Sequence, residues 1–166
     1  MGSVLMSTTT GAATAHPNNF LEPEPHIVAR IKSLLPGVHV LTGADLAATK
    51  EESQPVPAVH VIWNGFRVLE TRIDGRVSRL DHEWLIVSAV RNVRGLKSGA
   101  DARVEAGELS ARAGAAVMGF RPPNVAGPMR LAPSPGSGYS QAGYLYLPLA
   151  FLVESVFQSA EYFKGA

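Results

Sequence analysis

The chain has 166 residues, of which 46% are hydrophobic and 17% charged, and its formal net charge is +1. This length supports one domain with a proper core, and the composition excludes a disordered chain. A nearly neutral total gives no general attraction for nucleic acid. Because the chain has no cysteine, disulfides, thiolate nucleophiles and cysteine-based zinc sites are excluded.

The chain begins with a segment that has little to bury. Residues 1–20 are rich in Ser, Thr, Ala, Gly and Asn, so we predict a flexible N-terminal arm followed by a single domain at residues 21–166. The N-terminus lacks the basic start and apolar run of a signal peptide. No apolar stretch reaches the length of about 20 residues that a transmembrane helix needs. We therefore expect a soluble protein of the cytoplasm.

The first predicted element is a short amphipathic helix near residues 22–35. Prolines in its first turn and apolar residues at helical spacing favour this assignment, and Pro36-Gly37 ends it. The following pattern predicts a short strand at residues 38–41, a short helical segment around Leu46 and a proline-containing loop at residues 50–57.

A long hairpin is the strongest pattern of the chain. Residues 58–63 alternate as a strand does and continue extended to Leu69, with a turn or bulge signal at Asn64-Gly65. Asp74-Gly75 marks the hairpin tip, and residues 77–93 form the returning strand. The middle of that strand is apolar on both faces, as in a central strand that is covered on two sides. A strand this long in a small domain is expected to project from it.

The second half of the chain adds one helix and two strands. Residues 99–118 predict a helix whose inner face is made mostly of small residues, and a short strand follows near residues 129–131. The last long strand spans residues 142–154 and contains Pro148, which marks an edge position or a bulge. The predicted fold is therefore α/β (α+β): a single domain with a mixed or antiparallel β-sheet, a long protruding hairpin and flanking helices.

Catalytic motifs are not found in the sequence. The five histidines do not form an HExxH pair, and no GxSxG elbow occurs. The glycine-rich residues 136–143 lack the Lys-Ser/Thr ending of a phosphate loop and precede a strand, so we interpret them as a flexible loop. We predict no enzyme activity, no metal and no cofactor.

One group of residues keeps an enzyme or ligand-binding alternative open. A site would need an enclosed pocket that brings together His60, His82, Asp81 and Glu83. The ordinary interpretation is half-buried sheet histidines, with the two carboxylates, which Arg79 and Arg91 flank in sequence, in cross-strand ion pairs.

The candidate functional residues are the hairpin arginines Arg67, Arg72, Arg76 and Arg79. Residues 64–97 hold seven Lys/Arg against four Asp/Glu, so the basic excess lies on the hairpin. The arginines are either a solvated surface or a docking surface, because arginine is enriched at interfaces and binds carboxylates with two hydrogen bonds. Apolar residues among them favour docking. A nucleic-acid interface is a weaker alternative, because acidic residues are interspersed with the arginines.

The order of elements resembles that of the tail terminator proteins of long-tailed bacteriophages, including the group in Mu-like phages and prophages. The resemblance covers residues 22–157 and leaves the N-terminal arm and the arginine hairpin unmatched. The segments that carry it are the helix His26–Leu35, the strand Val38-His39-Val40, the run Pro57-Ala58-Val59-His60-Val61-Ile62-Trp63, the strand His82-Glu83-Trp84-Leu85-Ile86-Val87, the helix end Met118-Gly119-Phe120 and the closing strand Gly143-Tyr144-Leu145-Tyr146-Leu147-Pro148-Leu149.

This resemblance implies a structural protein of the virion, located at the tail–neck junction and assembled in the host cytoplasm. It implies a ring, hexameric in the family, that sits on the tail tube, stops tube polymerisation and provides the attachment surface for the head connector. The implied partners are further copies of the chain, the tail tube protein, the head–tail connector or neck protein and, in a contractile tail, the sheath protein. Neither membrane binding nor specific nucleic-acid binding is implied, although DNA can pass through the ring lumen.

Two other functions stay open on the sequence alone. The first is another head–tail joining protein of the neck, which differs in the partner it holds. The second is a small α/β ligand-binding or enzymatic domain built on the histidine and carboxylate group described above.

Overall fold

The computed structural model describes residues 16–91 and 99–164. The helices are α1 (Pro23–Leu34), α2 (Gly43–Ala48) and α3 (Gly99–Val117), and two 3-10 turns lie at Glu51–Ser53 and Ala160–Phe163. The strands are β1 (His39–Thr42), β2 (Ala58–Thr71), β3 (Val77–Arg91), β4 (Arg130–Ala132), β5 (Gly138–Tyr139) and β6 (Tyr144–Gln158). The predicted α+β class is confirmed.

All six strands belong to one mixed sheet in the order β1-β2-β3-β6-β4, with β5 also paired to β6. Only β1 and β2 run parallel, whereas the other pairs are antiparallel. Three long strands, β2, β3 and β6, form the body of the sheet. The short strands cover parts of them: β1 pairs with residues 58–61 of β2, β4 with residues 150–152 of β6 and β5 with residues 145–146 of β6.

One end of the sheet consequently contains only the three long strands. We call it the distal sheet and define it as residues 64–71, 77–83 and 153–158, with the tip at residues 72–76. A bulge begins it: Trp63 lies opposite Trp84 and Phe66 opposite His82, which leaves an extra residue on β2. Gly65 has a φ of +96°, a conformation that side chains disfavour, so the bulge predicted at Asn64-Gly65 is confirmed.

The core lies on one face of the sheet, which we call the helix face. Helices α1 and α3 pack there side by side over the apolar residues of β2, β3 and β6, with Trp84 and Phe151 fully buried at the centre. The predicted inner face of α3 is confirmed as buried: Ala102, Ala106, Leu109, Ala113, Ala116 and Val117. Its small residues let the helix approach closely, and a Cβ placed on Gly114 would lie 2.7 Å from Leu149 Cδ1.

The opposite face of the sheet, which we call the outer face, is covered near β1 by the loop before β2. The hydroxyl of Tyr144 donates to the carbonyl oxygen of Gln54 at 3.0 Å, and that of Tyr146 donates to the Glu51 carboxylate at 2.6 Å. Burial, together with this hydrogen bond, raises the pKa of Tyr146. Both tyrosines therefore fasten the loop to β6.

Strand β6 differs from its prediction in length, since it reaches Gln158 where residues 142–154 were expected. Pro148 lies on its outer edge, in the interval between the residues that pair with β5 and those that pair with β4. Two residues on, the Ala150 N–H points away from β3 and donates to Ser134 Oγ at 2.8 Å. Because backbone direction alternates with period two, Pro148 turns its nitrogen to the same edge, which confirms the predicted edge position.

None of the helices within residues 16–91 and 99–164 combines the length and hydropathy required to cross a bilayer.

Candidate interaction surface

The distal sheet extends beyond the helix-covered core. Along β2 the first four residues are buried, and every residue from Phe66 to Thr71 is exposed. The core cluster reaches toward the tip only as far as Trp63, Trp84 and Val153. Large apolar side chains are nevertheless exposed beyond that point: Phe66, Val68, Leu69, Ile73, Val156 and Phe157. An exposed apolar patch of this kind marks an interaction site more often than a free surface.

The structure divides the four candidate arginines between the outer face and the tip. Arg67 and Arg79 lie on the outer face of the distal sheet, whereas Arg72 and Arg76 lie at the tip. Each one pairs with a carboxylate of its own chain at 2.8–3.1 Å. Their side chains are still about half exposed or more, so each guanidinium retains a solvent-facing side.

Asp81 is the centre of the first ion-pair group. This carboxylate is only 2% exposed, and its two oxygens accept from Arg67 Nη2 at 3.1 Å and from Arg130 Nη2 at 2.6 Å. A buried carboxylate is stable only where its lone pairs are satisfied, and here two cations from different strands do so. Asp81 thus connects β2, β3 and β4 across the outer face.

Arg79 is the centre of the second group. Its guanidinium donates to Glu154 on β6 at 2.8 Å and to Glu70 on β2 at 3.1 Å. The hydrogen bond from Arg79 is the main reason that the pKa of Glu154 is lowered, and the two carboxylates raise the pKa of Arg79. The expected cross-strand ion pairing is thus confirmed for Asp81, with Arg67 and Arg130 as its partners, whereas it is wrong for Glu83, which accepts from the Asn64 amide.

The tip arginines contact the C-terminal turn. Arg76 pairs with Glu161 at 3.1 Å, and Arg72 donates to the Tyr162 hydroxyl at 2.9 Å while pairing with Asp74. The turn at residues 160–163 is thereby held against the hairpin. These pairs are exposed and contribute little to stability, typically about 0.2–1 kcal/mol each.

An aromatic cluster occupies the helix face of the distal sheet. Phe20 lies with its ring centroid 5.1–5.7 Å from the rings of Trp63, Phe66, His82 and Phe157. Ring pairs at such separations stabilise by about 0.5–1.5 kcal/mol beyond their burial. Residues 16–20, which the sequence prediction assigned to the arm, contact the sheet, whereas the rest of that predicted arm lies outside the described residues.

His82 is held neutral within this cluster. The indole Nε1–H of Trp63 donates to His82 Nδ1 at 3.2 Å, so the ring proton lies on Nε2, which is 2.7 Å from Ser155 Oγ. Burial lowers the pKa of His82, against a smaller opposing effect of the Asp81 charge. Protonation would remove the acceptor that Trp63 uses.

Asn18 closes the end of β6. Its side-chain amide donates to the Gln158 carbonyl at 2.7 Å, and its Oδ1 accepts the Gln158 N–H at 3.0 Å. One side chain thus reproduces the paired hydrogen bonds of a neighbouring strand. His16 adds an edge-to-face contact with Phe163 at 4.9 Å.

The group proposed for an enzyme or ligand site does not come together. His82 points to the helix face, whereas His60, Asp81 and Glu83 point to the outer face. Glu83 binds the Asn64 amide at 2.7 Å, and His60 packs against Tyr146, with burial lowering its pKa. His60 and His82 therefore cannot share a metal ion, and no cluster of three metal-ligating side chains exists within the described ranges.

Sequence reasoning missed several residues of this surface. Phe157 continues the alternation of Val153 and Ser155 in β6, but the predicted strand ended at Glu154. Arg130 and Phe20 lie far from the hairpin in sequence, and no local pattern indicates that they contact it.

An exposed surface with apolar side chains and paired charges is typical of a protein that contacts other proteins. A family model described as phage tail terminator protein matches residues 17–161, and the chain belongs to this family. The match extends across the arginine hairpin, which the sequence resemblance left unmatched. No protein with a curated description matches the chain. Membership makes it a structural tail protein of a bacteriophage virion that associates with other tail components.

Proposed function

We propose that this tail terminator forms a ring, of six copies, on the last ring of the tail tube. The ring stops tube polymerisation and presents its other side to the head–tail connector at the tail–neck junction. In a contractile tail the sheath protein is a further partner. A closed ring has no growing end, which is the property that a terminator needs.

The distal sheet is the observation that supports this proposal. It carries exposed apolar side chains beyond the core, and its two ion-pair groups fix the three strands relative to each other. A rigid projecting sheet has a small ordering cost when a partner binds it. It suits a subunit that must contact a neighbour in the ring and the tube below.

The tip arginines are proposed to contact the partner subunits. Arg72 and Arg76 are more than half exposed, and Ile73 between them is fully exposed. An apolar side chain flanked by arginines is the composition of an interface centre with a charged rim. Their present partners, Asp74 and Glu161, are exposed as well, so exchange for carboxylates of a partner costs little desolvation.

The proposal is tested by light scattering after size exclusion, across a concentration series, with and without the tail tube protein. We expect a closed oligomer that binds the ends of tubes, and tubes of bounded length in electron micrographs. A chain that stays monomeric and does not bind the tube overturns the proposal. Capture of the connector protein without any tube binding would instead identify another head–tail joining protein.

The contact role of the tip is tested separately. Arg72→Glu combined with Arg76→Glu should abolish tube capping while the circular dichroism spectrum stays unchanged. Arg112→Glu, on the exposed side of α3, is the matched control and should cap tubes normally. Equal capping by both variants refutes the assignment of the tip.

A further inference from the structure

The edge of β2 toward the tip is open. Strand β1 pairs only with residues 58–61, and no described backbone or side-chain group bonds the outward amides from residue 62 to residue 71. Natural proteins usually shorten, charge or cover such an edge, because it is a template for another strand. Here Phe66, Val68 and Leu69 are exposed along it.

The register identifies which amides point outward. The Pro57 carbonyl points toward β1, where it accepts from the His39 N–H. The Arg72 N–H points the opposite way, toward β3, and donates to the Val77 carbonyl. The alternation between these two points passes through two register shifts, at residues 63–66 and 68–70. Counted through both, the outward groups are those of Trp63, Phe66, Val68 and Thr71. A strand added there would contact the exposed apolar side chains and satisfy these amides.

The opposite edge of the distal sheet is closed. On β6 the Glu154 carbonyl accepts from the Ala126 N–H at 2.7 Å, and Asn18 bonds both groups of Gln158. Two copies that joined their sheets edge to edge in a head-to-tail ring would have to displace Asn18 and Ala126 from this edge. Pairing β2 with β2 is self-complementary and would end at two copies. A segment outside the described sheet avoids both restrictions.

Residues 1–15 have the composition and position for this role. They contain no Asp, Glu, Lys or Arg, and Val4 and the run Thr8-Thr9-Thr10 are of the residue types that suit strands. The segment joins the domain at His16, beside Asn18 on the closed edge, on the side of the sheet away from β2. Fifteen residues span at most about 50 Å when extended.

We propose that residues 1–15 of one copy add a strand to the open β2 edge, residues 62–71, of the neighbouring copy. Each subunit donates its arm from the closed edge and accepts one on the open edge. Such a contact is heterologous, and repeating it from copy to copy gives a ring where the rotation between neighbours closes. The inference rests on the ring of the proposed function and names the contact that holds it together.

The absence of cysteine makes disulfide trapping in the full chain a clean test. Val68→Cys chains are mixed with chains of a different tag that carry Ser7→Cys, Thr8→Cys or Thr9→Cys, and the mixture is oxidised under mild conditions. We expect mixed disulfide dimers about ten-fold above a Glu108→Cys control on α3, because the arm holds its thiol at high local concentration. The yield should alternate along residues 7–9, because strand side chains alternate.

The outcomes separate the two proposals. An oligomer without cross-linking above the control overturns arm exchange and leaves the ring standing. Cross-linking only within a single chain that carries both cysteines shows that the arm covers its own edge, and also overturns the exchange. Absence of any oligomer, with or without the tube protein, overturns the proposed function itself.

Removal of residues 1–15 gives an independent readout. The shortened chain should keep its circular dichroism spectrum and lose the oligomer in light scattering. A ring that persists without these residues refutes the exchange. When tube protein is added to the Val68→Cys chains, a cross-link to the tube protein in place of the arm would assign the β2 edge to the tube. That result would also refute the arm exchange.

Discussion

The close approach of α3 to the sheet gives a stability prediction with opposite signs at two glycines of one helix. A Cβ on Gly114 would lie 2.7 Å from Leu149 Cδ1, whereas a Cβ on Gly107 meets nothing within 4 Å. Gly114 is buried and Gly107 is exposed. Gly107→Ala and Gly114→Ala therefore make the same chemical change in two different surroundings.

The expected magnitudes follow from two effects. Replacing glycine by alanine inside a helix stabilises by about 1 kcal/mol, because the unfolded chain loses freedom. At Gly107 this gain is not opposed. At Gly114 the methyl group must displace the Leu149 side chain, and overpacking of this kind costs about 1–3 kcal/mol. We expect Gly114→Ala to be net destabilising by about 1 kcal/mol, so that the two variants differ by about 2 kcal/mol.

Thermal or urea unfolding followed by circular dichroism measures this difference. In a domain of this size, 2 kcal/mol corresponds to about 4–8 °C in Tm. All variants must be compared at one protein concentration, because assembly adds to apparent stability.

A double-mutant cycle identifies the cause. In a Leu149→Ala background the atom that Gly114→Ala would meet is absent, so the same substitution should become stabilising, as at Gly107. If Gly114→Ala destabilises equally in both backgrounds, the contact with Leu149 is not the reason for the glycine and the reasoning is refuted.

Two further predictions concern the aromatic cluster and its histidine. Phe20→Ala should lower the free energy of unfolding by about 2 kcal/mol, somewhat less than a fully buried phenylalanine, whereas the exposed Leu21→Ala should change it little in the same urea titration. The pKa values of His60 and His82 are lowered by burial, so protons bind the unfolded chain more readily. The contribution of these two neutral histidines to the free energy of unfolding is fully present above the unfolded pKa of about 6.5. It is lost as the pH falls through the lower pKa values of the folded state. The urea midpoint should therefore drop between pH 7.5 and pH 5, and less so in His82→Asn, which keeps an acceptor for Trp63; an equal drop in that variant would show that His82 is not involved.

The fold was largely predictable because local signals agreed. The alternation of β2, the Asn64-Gly65 bulge and the helical spacing in α1 each depend on neighbours in sequence. The small residues of α3 also indicated its buried face. What failed was the end of β6, because residues 155–158 are held in the sheet by pairing with residues 77–80 of β3, a long-range contact that the sequence does not show.

The surface was harder to predict because it is built from long-range contacts. The sequence placed four arginines on one hairpin but could not show that each already has a carboxylate partner. The partners of Asp81 lie on two other strands, and Arg130 comes from a segment 49 residues away. Asn18 and Gln158 are 140 residues apart, and no periodicity connects them.

The position of Trp63, beside His82 and under Phe20, has a spectroscopic consequence. The chain has two tryptophans, and Trp84 is fully enclosed by the core, whereas Trp63 lies under Phe20 at the start of the distal sheet. Emission from Trp63 should therefore change when the N-terminal segment lifts or a neighbour docks beside it, while Trp84 supplies a constant background. The chain thus contains an intrinsic fluorophore at its interaction surface, and assembly can be followed in real time without a label.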